Sequence, residues 1–400
     1  MPQPTIQPAD RIGRVEEYYF SRKLREVAAL QAAGKDIISL AIGSPDMPPS
    51  ETTINVLCSE AHKSDAHGYQ PTRGIAELRQ AMARFYQRWY GVALNPETEI
   101  QPLIGSKEGI LHTTLAFVNP GDKVLVPDPG YPTYTSLSRL LGVEVVKYGL
   151  REDDGWQPDF QQLEQMDYER VRLLWVNYPN MPTGAAARRA TFERLVDLAR
   201  RKGFVVVCDN PYSFILNNRA AGGSDEMLSI LQVDGARECC IEFNSMSKSH
   251  NMPGWRVGML ASNAEFVSWV LRVKSNIDSG TLRPLQLAAA AAYDNDDAWH
   301  AEHNYHLYAR RRQIAEKIMD ALQCQYDKRS VGMFLWGRIP ECYADAEELT
   351  EHVLHDYGVF LTPGFIFGER GRRYVRLSLC ATEQRLQEAL ERVTTVNVKH

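Results

Sequence analysis

The middle of the chain alternates short apolar runs, rich in β-branched residues, with amphipathic stretches. This pattern is typical of parallel strands joined by helices, because such strands are buried on both faces. The runs predicted to be strands are 123–126, 173–176, 204–207 and 240–243. Helices are predicted over 75–89, where apolar residues recur every three or four positions, and over 191–202. We therefore expect an α/β fold, with a mostly parallel central sheet and helices on both faces.

The length of 400 residues predicts about two domains, at roughly 150 residues per domain. After about residue 279 the sequence changes to an alanine-rich helix, a long charged helix and shorter strands mixed with turns. The first fifty residues are predicted to be helical and then extended. We predict a large domain over 51–282 and a smaller, discontinuous α+β domain built from 1–50 and 283–400.

Composition excludes several classes of function. The net charge of -5 gives no reason to expect a nucleic acid partner, and no apolar run approaches the roughly 20 residues that span a bilayer. The N-terminus lacks the pattern of a secretory signal, so the expected location is the cytoplasm. The seven cysteines include no CxxC repeat, and no metal is expected. Cys208 is predicted to be a packing residue.

Polar residues follow several predicted strands, at the edge where an open parallel sheet binds its ligands. Lys248 stands between serines after the strand at 240–243, and Arg256 follows eight residues later. A lysine in this setting is suited to form a Schiff base through its amine, beside a phosphate that the arginine holds. Asp209, at the end of its own strand, can pair with a protonated pyridine nitrogen.

Further residues extend this candidate cofactor site. Gly105, Ser106 and Lys107 lie where backbone N–H groups at the start of a helix can cradle a phosphate, and Ser245 and Ser247 would complete the cradle.

Two tyrosines and one arginine are suited to contact the ring of a planar cofactor and the carboxylate of its substrate. Tyr131 can stack on a planar ring, while the hydroxyl of Tyr212 can bond a ring oxygen. Arg376 lies inside an apolar strand, where the carboxylate of a substrate would relieve its buried charge.

Seven motifs give the chain a resemblance to the class I and II aminotransferases, which are fold-type-I pyridoxal-phosphate enzymes. The resemblance covers about residues 38–379. The motifs are 69–79 (YQPTRGIAELR), 105–109 (GSKEG), 128–134 (DPGYPTY), Asp209 with Tyr212, 245–258 (SMSKSHNMPGWRVG), 274–280 (KSNIDSG) and 374–379 (YVRLSL). Two of them, GSKEG and KSNIDSG, look most like the branch with LL-diaminopimelate and alanine-type aminotransferases. No cluster of basic residues near the predicted pocket indicates a dicarboxylate substrate.

The resemblance implies a role for each matching residue. Lys248 would hold pyridoxal phosphate covalently and move the proton between substrate and cofactor, with Asp209 and Tyr212 as the other catalytic residues. Gly43, Asn180 and Arg376 would bind the substrate. The cofactor would also contact Gly105, Ser106, Lys107, Tyr131, Ser245, Ser247 and Arg256. Tyr69 would reach the phosphate of a neighbouring subunit, which implies a homodimer.

Met181 departs from the family pattern. It stands in Pro179–Gly184 where the family has an asparagine that bonds the cofactor's phenolic oxygen, and a thioether cannot donate that hydrogen bond. We expect Tyr212 to make this contact alone, or Asn177 or Asn180 to share it.

The expected reaction is the reversible, ping-pong transfer of an amino group from an amino acid to a 2-oxo acid. A pyridoxal-phosphate lyase, either a carbon-sulfur β-lyase or a cyclopropane-carboxylate synthase, would use the same lysine. A further alternative is an effector-sensing domain of a transcription regulator. The lack of a DNA-binding segment before residue 40 counts against this alternative. The S-x-x-K pattern at 245–248 lacks the Lys-Thr-Gly of serine acyl-transfer enzymes.

Three histidines, His300, His303 and His306, recur at a spacing of three on a predicted helix. This spacing raises the possibility of a metal site. Because Glu302, Asn304 and Arg310 surround them, a solvated polar face is the preferred interpretation.

Overall fold

The computed structural model describes residues 6–15, 17, 19–218 and 226–395. The strands within these ranges are β1 (Ile38–Ser39), β2 (Ile100–Leu103), β3 (Lys123–Asp128), β4 (Glu144–Arg151), β5 (Gln157–Pro158), β6 (Val171–Asn177), β7 (Val205–Asp209), β8 (Cys240–Ser245), β9 (Gly258–Ala261), β10 (Gln325–Tyr326), β11 (Phe334–Arg338), β12 (Val359–Phe360), β13 (Thr362–Pro363) and β14 (Tyr374–Ser378).

The helices in the same ranges are α1 (Tyr19–Ala32), α2 (Glu51–Ala61), α3 (Ala76–Tyr90), α4 (Ser106–Phe117), α5 (Pro132–Leu140), α6 (Phe160–Gln165), α7 (Arg189–Lys202), α8 (Ala236–Cys239), α9 (Met246–Ser249), α10 (Ala264–Lys274), α11 (Arg283–Tyr293), α12 (Asp297–His300), α13 (Leu307–Ala321), α14 (Ala346–Tyr357) and α15 (Glu383–Thr395). A π-helical segment, Ala301–His306, joins α12 to α13. Helices α3 and α7 correspond to the helices predicted over 75–89 and 191–202. Within the described ranges, no helix combines the length and the apolar character that crossing a membrane requires. The cytoplasmic location stays a prediction.

Eight strands form the central sheet, in the order β2, β9, β8, β7, β6, β3, β4, β5. The five inner strands from β8 to β4 are parallel to one another. Antiparallel pairs occur only towards the two edges of this sheet, at β8 with β9, β9 with β2, and β4 with β5. The expected α/β fold with a mostly parallel sheet is confirmed, and the four predicted strands are β3, β6, β7 and β8.

Side chains from both faces of the central sheet are buried. In β6, Leu173 and Trp175 pack into one apolar cluster, while Leu174 and Val176 pack into the other. This two-sided burial explains why the strands read as continuous apolar runs in the sequence. Polar side chains therefore gather beyond the carboxyl ends of the strands, where ligands bind in folds of this type.

Two smaller sheets involve the ends of the chain. Strand β1 pairs in parallel with β12, with Ile38 opposite Val359. The other sheet has the antiparallel order β10, β11, β14, β13. The first pairing joins the N-terminal fifty residues to the C-terminal part. The domain boundaries at 51–282, 1–50 and 283–400 stay a prediction.

Candidate active site

A cavity of about 450 Å³ lies at the carboxyl edge of the central sheet. Its wall brings together most of the residues that the sequence indicated. These are Gly43, Ser106, Lys107, Tyr131, Asp209, Tyr212, Ser245, Ser247, Lys248, Arg256 and Arg376. Gly105, Tyr69 and Asn180 were also indicated but do not line this cavity.

Lys248 lies on the single turn of α9, directly after β8. The side chain of Ser245 caps this turn by accepting a hydrogen bond from the N–H of Ser247 at 3.2 Å. The Nζ atom of Lys248 donates to the carbonyl oxygen of Gly43. Burial lowers the pKa of Lys248 below its usual value, because a buried ammonium loses its hydration. The turn thus holds an amine that gives up its proton more readily than an exposed lysine.

Asp209 ends β7 and is buried beneath the cavity. Its Oδ2 accepts a hydrogen bond from the hydroxyl of Tyr134 at 2.9 Å, and Tyr134 stacks on Trp175 with ring centroids 5.0 Å apart. The other oxygen, Oδ1, is buried and has no hydrogen-bond partner among the described residues. Burial raises the pKa of Asp209 to about 6. A cationic N–H donor would satisfy this oxygen, because an unpaired buried acceptor is costly.

Two tyrosines line the cavity near Asp209. Tyr212 is buried, its ring meets Phe334 edge-on at 6.1 Å, and burial raises its pKa above the usual value. Tyr131 lies at the end of β3 and presents its edge to the ring of Tyr134 at 5.4 Å. The sequence did not single out Tyr134. Its spacing of three residues from Tyr131, at the start of α5, was the available signal.

An anion cradle lies where α4 begins. Gly105 precedes the helix with φ of 73°, and no side chain caps the helix. This left-handed φ favours glycine, and a Cβ atom at the same position would displace the guanidinium of Arg256. Arg256 itself donates from Nη1 to the hydroxyl of Ser247 at 3.4 Å and to the carbonyl of Pro253 at 2.9 Å. Helix N–H groups, hydroxyls and a guanidinium together form a suitable site for a phosphate.

Ion pairs of the buried Lys274 with two half-buried carboxylates fix the start of α4. Glu108 accepts a hydrogen bond from the N–H of Ile104 at 2.6 Å and forms an ion pair with Lys274 at 2.8 Å. Lys274 also pairs with Asp278 at 2.6 Å. The GSKEG and KSNIDSG segments thus meet through these charges, which hold the cradle in place.

Arg376 is carried by β14, is 5% exposed and reaches the cavity wall. It donates to the carbonyl of Ala41 at 2.7 Å and to the sulfur of Met181 at 3.3 Å. The rings of Phe334 and Phe367 lie 4.1 and 4.6 Å from its Cζ atom. A carboxylate in the cavity can therefore meet a guanidinium in an apolar setting, where their attraction is strong.

The loop around Met181 holds its two asparagines in place. Asn177 donates to the carbonyl of Asp209 at 2.7 Å and accepts the N–H of Met181 at 2.7 Å. Asn180 donates to the carbonyl of Asn177 at 3.0 Å and accepts the hydroxyl of Thr183 at 2.8 Å. Asn177 and Met181 line the cavity, whereas Asn180 does not. Substrate binding by Asn180 stays a prediction.

Tyr69 lies outside the cavity of its own chain and is 93% exposed. The sequence had predicted that it acts on a neighbouring subunit, and this stays a prediction.

Several wall residues were missed by the sequence reasoning. Phe20, Ser21 and Leu24 of α1 border the cavity, as do Phe334 and Phe367. The apolar residues among them follow no sequence pattern that distinguishes a cavity wall from a core.

The interpretation of His300 and Asn304 as a solvated face was wrong. His300 is buried against Phe214, at 4.8 Å between ring centroids, and against His250 at 5.1 Å. Asn304 is also buried and donates to the carbonyl of Ser249 at 2.8 Å. Asn304 lies in the π-helical segment, and its hydrogen bond supports the turn that carries Lys248.

Comparison with known families gives one extended match. The family model described as aminotransferase class I and II matches residues 35–393. An LL-diaminopimelate aminotransferase of Moorella thermoacetica is 40% identical over 391 residues, which are 98% of this chain and 98% of that protein. An LL-diaminopimelate aminotransferase of Oleidesulfovibrio alaskensis is 39% identical over 388 residues, which are 97% of this chain and 98% of that protein.

Solved structures agree in fold over nearly the whole chain. The substrate-bound structure of BacF from Bacillus subtilis has a TM-score of 0.91 and 31% identity, covering 98% of each chain. The aspartate aminotransferase of Thermus thermophilus with maleate has a TM-score of 0.89 and 27% identity, covering 98% of this chain and 100% of that chain.

Proposed function

The chain belongs to the class I and II aminotransferase family, and we propose that it is a pyridoxal-phosphate enzyme that transfers the amino group of LL-diaminopimelate to a 2-oxo acid in a ping-pong reaction. The relatives named above support this donor, since both are LL-diaminopimelate aminotransferases. The observation that carries the cofactor assignment is the buried Oδ1 atom of Asp209, which has no hydrogen-bond donor among the described residues. Asp209 lines the same cavity as Lys248.

The residues of the cavity fit pyridoxal phosphate. Asp209 would pair with the pyridine N–H, Tyr131 would stack on the ring, and Tyr212 would bond its phenolic oxygen. The phosphate would be held by Ser106, Lys107, Ser245, Ser247 and Arg256, with the backbone at Gly105. When bound, the cofactor supplies an aldehyde that takes the amino group and a ring that accepts electrons from the substrate's alpha carbon.

Lys248 is the proposed covalent attachment point and proton carrier. Its lowered pKa favours the neutral amine, which can take a proton from the alpha carbon of the donor. The ammonium of Lys248 that results would then give this proton to the carbon of the cofactor that receives the amino group. The carbonyl of Gly43, which accepts from Nζ, orients the amine for both transfers.

Arg376 is proposed to bind the alpha-carboxylate of the substrate, with the backbone at Gly43 beside it. A bidentate arginine pair fixes the carboxylate in both position and orientation. Phe20, Phe334 and Phe367 exclude water around this pair.

The proposed assembly is a homodimer in which Tyr69 reaches the phosphate of the partner subunit. Ile277 and Leu282 are large apolar residues with exposed fractions of 53% and 47%, and Gly280 between them packs on the backbone of Gln70, next to Tyr69. An exposed apolar surface of this kind supports an interface.

A product assay with several amino donors tests the proposed function. We expect LL-diaminopimelate and 2-oxoglutarate to react one for one, with glutamate as the product and no ammonia or pyruvate released. Release of pyruvate and ammonia without formation of glutamate would instead indicate a lyase, an alternative that none of the relatives described above supports.

Met181→Asn is expected to lower the pH at which the visible absorbance of the bound cofactor titrates. An amide at this position can donate to the phenolic oxygen, and one hydrogen bond to a charged group is worth about 1.4 kcal/mol or more, which corresponds to about one pH unit. A spectrophotometric titration of the holoenzyme measures the change.

Met181→Leu is the matched control, because leucine has a similar size and no donor. Its titration should follow that of the native protein. Equal behaviour of the asparagine and leucine variants would contradict the proposed proximity of position 181 to the phenolic oxygen.

A further inference from the structure

A second cavity of about 650 Å³ lies beside the candidate active site and is called here the annex cavity. The rings of Tyr131 and Phe367 line both cavities. Helix α1 also borders both, with Phe20 on the active-site side and Arg22 on the annex side. The two cavities therefore share part of one wall.

Four basic side chains line the annex cavity: Arg14, Arg22, Arg139 and Lys147. The expectation that no basic cluster lies near the pocket was wrong. These residues come from η1 (Asp10–Arg14), α1, α5 and β4, so their clustering arises only when the chain folds. This local excess of positive charge is opposite in sign to the net charge of the whole chain, which is -5.

Most of these charges lack an acidic partner. Among the described residues, Glu17 is the one acidic residue on the annex wall, and Arg25 binds both of its oxygens, at 2.5 and 2.9 Å. Lys147 contacts Asp128 at 3.3 Å. Within the described part of the chain, the arginines at 14, 22 and 139 form no ion pair. Three positive charges thus border one concave space, where their mutual repulsion is relieved by an anion.

The start of α5 adds to the positive potential of the annex cavity. Tyr131 is the residue before this nine-residue helix, no side chain caps it, and Pro132 occupies its first turn. Both residues lie on the annex wall. The N-terminal end of a helix carries a partial positive charge, and a cleft lined by one sign of charge concentrates ions of the other sign.

We propose that the annex cavity binds the second carboxylate of a dicarboxylic substrate, with Arg22 and Arg139 as its main contacts. The proposal rests on the proposed function, in which Arg376 holds the carboxylate at the reacting end. LL-diaminopimelate has a carboxylate at each end, so the annex charges would distinguish it from amino acids with only one. Arg22 and Arg139 thereby become residues that determine specificity rather than catalytic residues.

Two donors that differ only in this group test the proposal. L-lysine has the structure of diaminopimelate without its second carboxylate. For the double variant Arg22→Gln/Arg139→Gln we expect kcat/KM with LL-diaminopimelate to fall at least about tenfold, since charge-assisted hydrogen bonds are lost. The value with L-lysine should change less than about twofold. Both arginines are exposed, so the variant should fold normally.

Arg11→Gln is the matched control, because Arg11 lies in the same short helix as Arg14 but outside the annex wall. It should leave both donors unaffected. An equal loss for both donors in the double variant, or no loss for either, would overturn the proposal.

A binding measurement separates failure of this proposal from failure of the proposed function. Pimelate and heptanoate have the same length and differ by one carboxylate, and calorimetry with the holoenzyme measures both. We expect the native protein to bind pimelate at least about tenfold more tightly, and the double variant to lose this preference. If no donor were turned over, the proposed function would fail while the annex proposal could still be judged. Equal binding of the two acids by the native protein would refute the annex proposal alone.

Discussion

Lys248→Ala is expected to reduce the rate of transamination by roughly 10²- to 10⁴-fold, the usual contribution of a positioned acid-base group. Alanine removes the amine that donates to the carbonyl of Gly43 on the cavity wall, and with it the proposed proton carrier. Single-turnover kinetics with LL-diaminopimelate measure the loss. Borohydride reduction followed by mass spectrometry should locate the cofactor on Lys248 in the native protein.

Lys35→Ala serves as the control, because Lys35 is exposed between α1 and β1, away from the cavity wall. It should retain the native rate. Full turnover by Lys248→Ala would contradict the assignment of this residue.

Asp209→Asn is expected to weaken cofactor binding and lower kcat, together by about 3 kcal/mol or on the order of 10²-fold, because one partner of a buried charge pair is lost. Asparagine keeps the size of the side chain and can still contact Tyr134, so packing changes little. The dissociation constant of pyridoxal phosphate and kcat report the two effects separately.

Glu242→Gln is a matched control for Asp209→Asn. Glu242 is equally deep in the neighbouring strand β8, and the register places it opposite Cys208 and thus on the other face of the sheet. Its carboxylate contacts the hydroxyls of Tyr86 and Ser229, both at 2.8 Å. This variant should lose stability but keep cofactor affinity. If both variants lost cofactor affinity equally, general destabilisation of the protein would explain the loss, and the proposed contact between Asp209 and the cofactor would be contradicted.

The parallel sheet and the convergence of Asp209 and Lys248 could be predicted from the sequence. The reason is geometric, since β7 and β8 are neighbours and end at the same edge of the sheet. Short apolar runs mark such strands, and the polar residues just after them stand out. Residue chemistry suggested roles for Lys248, Asp209 and Arg256, and the family resemblance added others such as that of Tyr69. All of these roles stay predictions.

Contacts between distant segments could not be predicted in this way. The contact between Met181 and Arg376 joins residues 195 positions apart. The basic cluster of the annex cavity likewise unites four separate elements, and His300 is buried against Phe214 and His250, which are distant from it in the sequence. None of these arrangements follows from local periodicity, because each depends on how whole elements pack.

The close approach of Gly105 to Arg256 has a consequence for how this protein can evolve. Any side chain at position 105 collides with the guanidinium, and the φ of 73° disfavours replacement even without it. Substitutions at the two positions are therefore not independent, because a side chain at 105 would displace the guanidinium of Arg256 from its contacts with Ser247 and Pro253. A mutational library that varies one position at a time would miss this dependence. The two positions should be randomised together.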